Sequence, residues 1–125
     1  MPLPALADRV VVIIGGSTGL GLSGARECLA AGARVVITGR KAESLAAAAR
    51  ELGAGVATLA GDATDPAHAP AAIALAKERF GGFNALYHVA GGSGRRLGDG
   101  PLHELTDEGI RGTLELNLHL SLIQI

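Results

Sequence analysis

Tryptophan is missing from this 125-residue chain, and Phe80, Phe83 and Tyr87 are its only aromatic residues. Proteins that bind single-stranded nucleic acid stack bases on aromatic platforms, and this composition offers almost none. Neither sign of charge dominates: 11 Lys and Arg stand against 12 Asp and Glu, for a formal net charge of -1. That balance also argues against a nucleic-acid binder, which would be clearly basic. With one cysteine, Cys28, an internal disulfide is excluded, and a reducing cytoplasm fits best. Cys28 stands beside Leu29 and Ala30 in a helical stretch and reads as a small apolar filler rather than a nucleophile. No apolar run is long enough to span a bilayer, and the leading MPLPALADR lacks the basic patch and long apolar core of a secretory signal. What remains is 48% apolar and 18% charged, the profile of one soluble globular domain covering residues 1–125.

Glycine, in contrast, is abundant. There are 19 of them, clustered at the ends of apolar runs. Arg9–Gly15 (RVVVIIG) is a continuous β-branched run, the pattern of a strand buried on both faces. A helix is expected from Gly19 to about Ala31, then a second strand over Arg34–Thr38 and a helix over Ala42–Leu52 closed by Gly53. Val56–Ala60 reads as a third strand. Asp65 reads as an N-cap with Pro66 at the first helical position of a helix ending at Phe80, and Asn84–Ala90 as a fourth strand. Strand and helix alternate at short spacing, which implies a parallel sheet with right-handed crossovers and helices on both faces. The fold class is therefore α/β, a doubly wound three-layer α/β/α arrangement.

Beyond residue 91 the pattern weakens. GGSGRRLGDGP reads as a flexible loop, in which Arg95 and Arg96 are solvated, and Leu102–Arg111 as a helix with Thr106 and Asp107 available as caps. In TLELNLHLSLIQI, Leu114, Leu116, Leu118, Leu120 and Leu122 alternate with polar residues as in a strand. Leucine favours helix, however, and the segment is poor in β-branched residues. A helix there would put Leu114, Leu118 and Leu122 on one face and Leu116, Leu120 and Ile123 on another, both expected to be buried. Pattern alone leaves both readings open.

The loop GGSTGLGLSG (residues 15–24) lies between the first strand and the first helix, where glycines let backbone N–H groups approach a phosphate and the helix terminus adds positive charge. Gly16 to Ser23 has P-loop spacing, but Leu22 replaces its lysine, which argues against a nucleoside triphosphatase. Gly19, Gly21 and Gly24 match the dinucleotide fingerprint G-x-G-x-x-G in its proper strand–helix context. The acid expected about twenty residues later, on the ribose 2′-hydroxyl, is absent. Thr38-Gly39-Arg40-Lys41 stands there instead, with room and charge for a 2′-phosphate, so NADP is favoured over NAD. Cations at a helix start are disfavoured unless something anionic joins them.

These residues together resemble the N-terminal half of a short-chain dehydrogenase/reductase. The TGxxxGxG loop of that family is similar to Ile14-Gly15-Gly16-Ser17-Thr18-Gly19-Leu20-Gly21, with Ile14 in place of threonine. The family's third-strand aspartate matches Asp62, followed by Ala63. Its NNAG motif resembles His88-Val89-Ala90-Gly91 with both asparagines replaced, and its helix asparagine matches Asn117.

The resemblance implies a Rossmann-like sheet and a helix over Leu114–Ile125. It implies that Gly15, Ser17, Thr18, Gly19, Leu20 and Gly21 surround a pyrophosphate, with Arg40 at the 2′-phosphate. Asp62 and Ala63 would face adenine, Ala90 and Gly91 would lie along the ribose, and Asn117 would support catalysis. No metal is implied. His88, on a buried strand, reads as structural.

The catalytic serine and Tyr-x-x-x-Lys of the family are absent: Tyr87 is followed four residues on by Gly91, and Lys41 and Lys77 are the only lysines. The chain is therefore expected to be a fragment or truncated product of an NADP-dependent oxidoreductase acting on a carbonyl or alcohol, inactive alone and oligomeric. Two other readings are a non-catalytic NADP-binding regulatory module and an interaction protein that dimerises through Leu114–Ile125.

Overall fold

The computed structural model describes residues 6–124. The leading residues read above against a secretory signal, and Ile125, lie partly or wholly outside them. The chain forms two compact units, one ending at Val89 and the other beginning at Ala90.

The first unit alternates strand and helix: β1 (Val10–Ile14), α1 (Gly19–Ala30), β2 (Arg34–Gly39), α2 (Ala42–Leu52), β3 (Val56–Ala60), α3 (His68–Phe80) and β4 (Ala85–His88). The strands form one parallel sheet in the order β3-β2-β1-β4. All five β1 residues are buried, as a strand covered on both faces requires. Val11, Ile13, Val35 and Ile37 share one face and pack with Ala25 of α1 and Leu45 and Ala48 of α2. Helix α3 packs on β1, β2 and β3, with Ala69, Ala72 and Ala76 buried at helical spacing; the other strand face, with Val12, Ile14 and Val36, serves it. Alanine on this helix permits close approach to the sheet, and the near absence of aromatics is consistent with so thin a core.

Register brings the strand ends to a common edge. Ile14 pairs with Thr38 and His88, and Gly39 pairs with Ala60. The segments that follow β1, β2 and β3 within this unit therefore emerge on the carboxyl edge of the sheet, where open α/β sheets bind ligands. At the opposite edge Asn84 starts the β4 pairing: its N–H donates to the Val10 carbonyl and its Oδ1 accepts from the Val10 N–H at 2.8 Å.

Several boundaries differ from the expectation. The fourth strand ends at His88 rather than Ala90. Helix α3 starts at His68, not Pro66. Asp65 Oδ1 does accept from the Ala67 N–H, but the first turn is tight, closed by His68 N–H to the Asp65 carbonyl, and the α-helical ladder opens only at Ala71 to Ala67. Gly81 closes α3 in the left-handed conformation, φ 78°, with its N–H on the Lys77 carbonyl. Cys28 is half-buried against the α1–α2 core, where burial raises its thiol pKa, consistent with a filler.

In the second unit the helix expected over Leu102–Arg111 is broken. Leu102–Glu104 form a short 3-10 turn and Leu105 is extended. Thr106 then caps α4 (Asp107–Leu114), its Oγ1 accepting the Gly109 N–H at 3.0 Å while its hydroxyl donates to the Leu97 carbonyl. The chain stays helical through a π-helical stretch, Glu115–His119, and α5 (Leu120–Leu122). The strand reading of the leucine alternation is thereby overturned. The expectation of two buried faces holds for one only. Leu120 is buried and Leu116 and Ile123 are partly covered, whereas Leu114, Leu118 and Leu122 are each more than half exposed.

Candidate functional site

Loop 15–18 turns the chain from β1 into α1 at the sheet's carboxyl edge, and the two close approaches that shape it demand glycine. A Cβ on Gly21 would collide with the Gly15 carbonyl oxygen, and one on Gly16 would lie 2.7 Å from Ile37 of β2. Gly15 itself is left-handed at φ 90°. Buried Thr38 secures the loop from the neighbouring strand: its carbonyl accepts the Gly16 N–H at 2.9 Å, and its Oγ1 accepts the Gly15 N–H at 3.4 Å.

Gly19 is different. It too is left-handed, φ 54°, yet a Cβ there would meet no atom within 4 Å. Open space adjoins the first turn of α1, where Thr18 makes no side-chain capping bond. The N–H groups of a first helical turn have no partner within the helix and carry its positive dipole end. Backbone donors, positive potential and open space meet there, which is what a phosphate group needs. The residues therefore fit a dinucleotide pyrophosphate.

Arg40 follows β2 immediately, and Asp62 follows β3 by two residues. Ser17 Oγ lies 2.6 Å from where a Cβ on Gly39 would sit, so the glycine loop and the end of β2 are in contact. Gly61 is tied to β2 by its N–H to the Gly39 carbonyl at 3.0 Å. The Asp62 Oδ1 accepts from the Thr64 N–H at 2.9 Å and the Thr64 hydroxyl at 2.8 Å. These two bonds hold its carboxyl below the ordinary range, the backbone N–H bond first, with smaller help from the Arg40 charge and least from His68, and against the desolvation of burial. Ala63 lies inside this turn.

Ala90, Gly91 and Asn117 belong to the second unit. There Asn117 Nδ2 donates to the Gly92 carbonyl at 2.7 Å and to the Thr113 carbonyl at 2.9 Å, while its Oδ1 accepts the Gly92 N–H. The side chain thus clamps the segment after Gly91, and a Cβ on Gly91 would stand 2.9 Å from Asn117 Oδ1. A side chain that takes the carbonyl four residues back disturbs the helical ladder, a direct cause of the π-helical stretch around it. Arg95 and Arg96 form a 3-10 turn rather than an irregular loop, both exposed. Among the described residues no group of three or more His, Cys, Asp or Glu could hold a metal, and no helix is long and apolar enough to cross a membrane.

Sequence reasoning missed four supports of the site. Thr38 could have been found as the one polar residue at the end of a buried strand, and Thr64 as the partner an Asp makes two residues on. Gly16 and Gly39 carry no signal beyond being glycine, because their contacts come from other strands.

The four-stranded parallel sheet with a glycine-rich loop at its carboxyl edge is a Rossmann-like α/β fold, though its sheet is incomplete beside that family of folds. The model of the family described as short chain dehydrogenase matches residues 9–123. The chain is 36% identical over 115 residues to an A-factor type gamma-butyrolactone 1'-reductase of Streptomyces virginiae, covering 86% of this chain and 45% of that protein. It is 36% identical over 105 residues to a granaticin polyketide synthase putative ketoacyl reductase of Streptomyces violaceoruber, covering 82% and 37%. Among solved structures, a short-chain type dehydrogenase/reductase from Mycobacterium ulcerans superposes with a TM-score of 0.84 at 31% identity, over 94% of this chain and 44% of that one. Levodione reductase also superposes at 0.84, with 28% identity over 94% and 46%. The chain belongs to the short-chain dehydrogenase/reductase family and spans less than half the length of these relatives.

Proposed function

We propose that this chain is the cofactor-binding half of an NADP-dependent oxidoreductase that interconverts a carbonyl and an alcohol, and that it is inactive alone. The end of β2 carries the cofactor choice: Thr38-Gly39-Arg40-Lys41 offers two cations and no carboxylate where a ribose 2′-hydroxyl would be bound. Gly15, Ser17, Thr18, Gly19, Leu20 and Gly21 hold the pyrophosphate, and Arg40 meets the 2′-phosphate. Asp62 and Ala63 face adenine, and Ala90 and Gly91 run along the ribose. When bound, the nicotinamide supplies the hydride chemistry. This chain's own residues bind and orient it, and Asn117 fixes the backbone that follows Gly91. The proton-transferring Tyr-x-x-x-Lys pair is absent from the sequence, so turnover requires residues from elsewhere.

Calorimetric titration of the chain with NADP+, together with an assay of NADPH oxidation, tests this reading. One saturable site without turnover is expected. Absence of binding, or turnover by the chain alone, would overturn it.

A second reading rests on Ile110, Leu114, Leu118 and Leu122, which recur every fourth residue and are each 43–57% exposed. A row of that kind is an association surface, and it supports an oligomer rather than a monomer. Light scattering of the chain and of Leu118→Glu tests it.

A further inference from the structure

His68 is buried, with 6% of its surface exposed, at the first position of α3. Its ring lies against the backbone of Gly61: a Cβ on Gly61 would collide with Nδ1, and any side chain there would displace the imidazole. Its Nε2 is buried without a hydrogen-bond partner among the described residues. Such an unpaired group is a cost that an apolar side chain would not carry. Gly61 leads directly into Asp62 and is tethered to Gly39, the residue before Arg40.

We propose that His68 is a positioning residue for the Asp62 turn, and that its protonation couples dinucleotide affinity to pH. The proposal rests on the cofactor reading above. As the neutral form, the ring fills the space beneath Gly61 and holds the turn. Once charged it requires solvent, leaves that space, and the turn loses its support.

The groups facing the ring are few. Asp62 and Asp65, in the loop before α3, both favour the charged form, but burial outweighs them and holds the imidazole below its ordinary pKa. Of the strands packed against α3, β1 and β3 carry no titratable residue, and β2 carries only Arg34 at its far end. Arg40, just beyond β2, acts on Asp62. On α3 itself Lys77, Glu78 and Arg79 lie at the other end of the helix. Asp62 stays ionised through mildly acidic pH because Thr64 holds its carboxyl low, so it does not produce the effect.

The test is calorimetric titration of the chain with NADP+ at pH 7.5, 6.5 and 5.5, for wild type and His68→Gln. The ligand's own 2′-phosphate titrates near pH 6 in both proteins, so their difference isolates the histidine. Wild type is expected to lose affinity by about threefold more than His68→Gln across that range. Parallel curves overturn the proposal. Should His68→Gln fail to fold, the imidazole of wild type is followed by NMR with and without saturating NADP+. By reciprocity its titration midpoint moves to lower pH when ligand is bound, and an unmoved midpoint overturns the proposal. Binding at no pH overturns the cofactor reading, and this proposal with it. Binding whose pH dependence ignores His68 overturns this proposal alone.

Discussion

A Cβ added to Gly24 of α1 would lie 2.9 Å from Cε1 of Tyr87 on β4. The third glycine of the fingerprint therefore serves packing: it lets the helix lie close over the edge strand. The lone tyrosine is its packing partner rather than an acid–base group. The three glycines of one motif do three different jobs, and substitution should separate them.

At Gly24 the obstacle is the rim of a ring that is 42% exposed and able to swing aside. Alanine also gains about 1 kcal/mol of helix propensity over glycine. Gly24→Ala should therefore change stability by less than about 1 kcal/mol. Gly21→Ala meets the Gly15 backbone, which has no such freedom, and should lose about 2–4 kcal/mol. Urea denaturation of the two variants checks the contrast.

Gly19→Ala is the informative intermediate case. Its φ of 54° carries a strain of about 1–2 kcal/mol for any other residue, but nothing obstructs the added methyl. The variant should fold and, if the proposed site holds phosphate, lose NADP+ affinity about tenfold or more because the methyl enters the open space beside Gly19. Unfolding and calorimetric curves on one sample distinguish strain from obstruction.

The Asp62 turn has a pH signature of its own. The folded carboxyl titrates below its unfolded value, so its contribution is fully present above about pH 4 and is lost as pH falls through the lowered pKa. The group is exposed, which limits the contribution to about 1 kcal/mol. Thr64→Val keeps the backbone N–H bond, the larger cause, and removes only the hydroxyl bond, so it should remove less than half of it: the variant should be slightly less stable than wild type at pH 6 and nearly equal to it at pH 2.5, by urea denaturation.

Asn117→Ala removes three hydrogen bonds at once. Opening of the segment around Gly92 should become easier by about 1–3 kcal/mol. Hydrogen exchange should accelerate at the Gly92 amide while amides of β1 and β2 are unaffected.

Much of the fold was legible because local and global signals agreed. Val10–Ile14 and Val35–Ile37 are apolar on both faces, and a strand so composed has few options other than a covered parallel sheet. Gly53 and Gly81 marked helix ends that the backbone confirms with positive φ. The region after Gly91 was less legible because its shape depends on side chains far apart in sequence. Thr106 reaching Leu97 and Asn117 reaching Gly92 decide where helices start and how they wind, and no periodicity records that. The leucine alternation was undecided from pattern for the same reason, since strand period and helix propensity conflicted; the helix implied by the family resemblance is what forms. At the candidate site the loop was visible as a motif and Thr38 and Thr64 left a faint signal, whereas the close approaches at Gly16 and Gly39 and the burial of His68 beneath Gly61 were visible only as contacts.

The proposed preference for NADP rests on Arg40. The most direct measurement is the affinity of the chain for NADP+ and NAD+, each with Arg40→Ala alongside. A charge-assisted contact to phosphate contributes about 1.5–3 kcal/mol. Wild type should prefer NADP+ by at least about tenfold, and Arg40→Ala should abolish the preference by weakening NADP+ alone. Equal affinities in wild type, or equal losses for both dinucleotides in the variant, would contradict it.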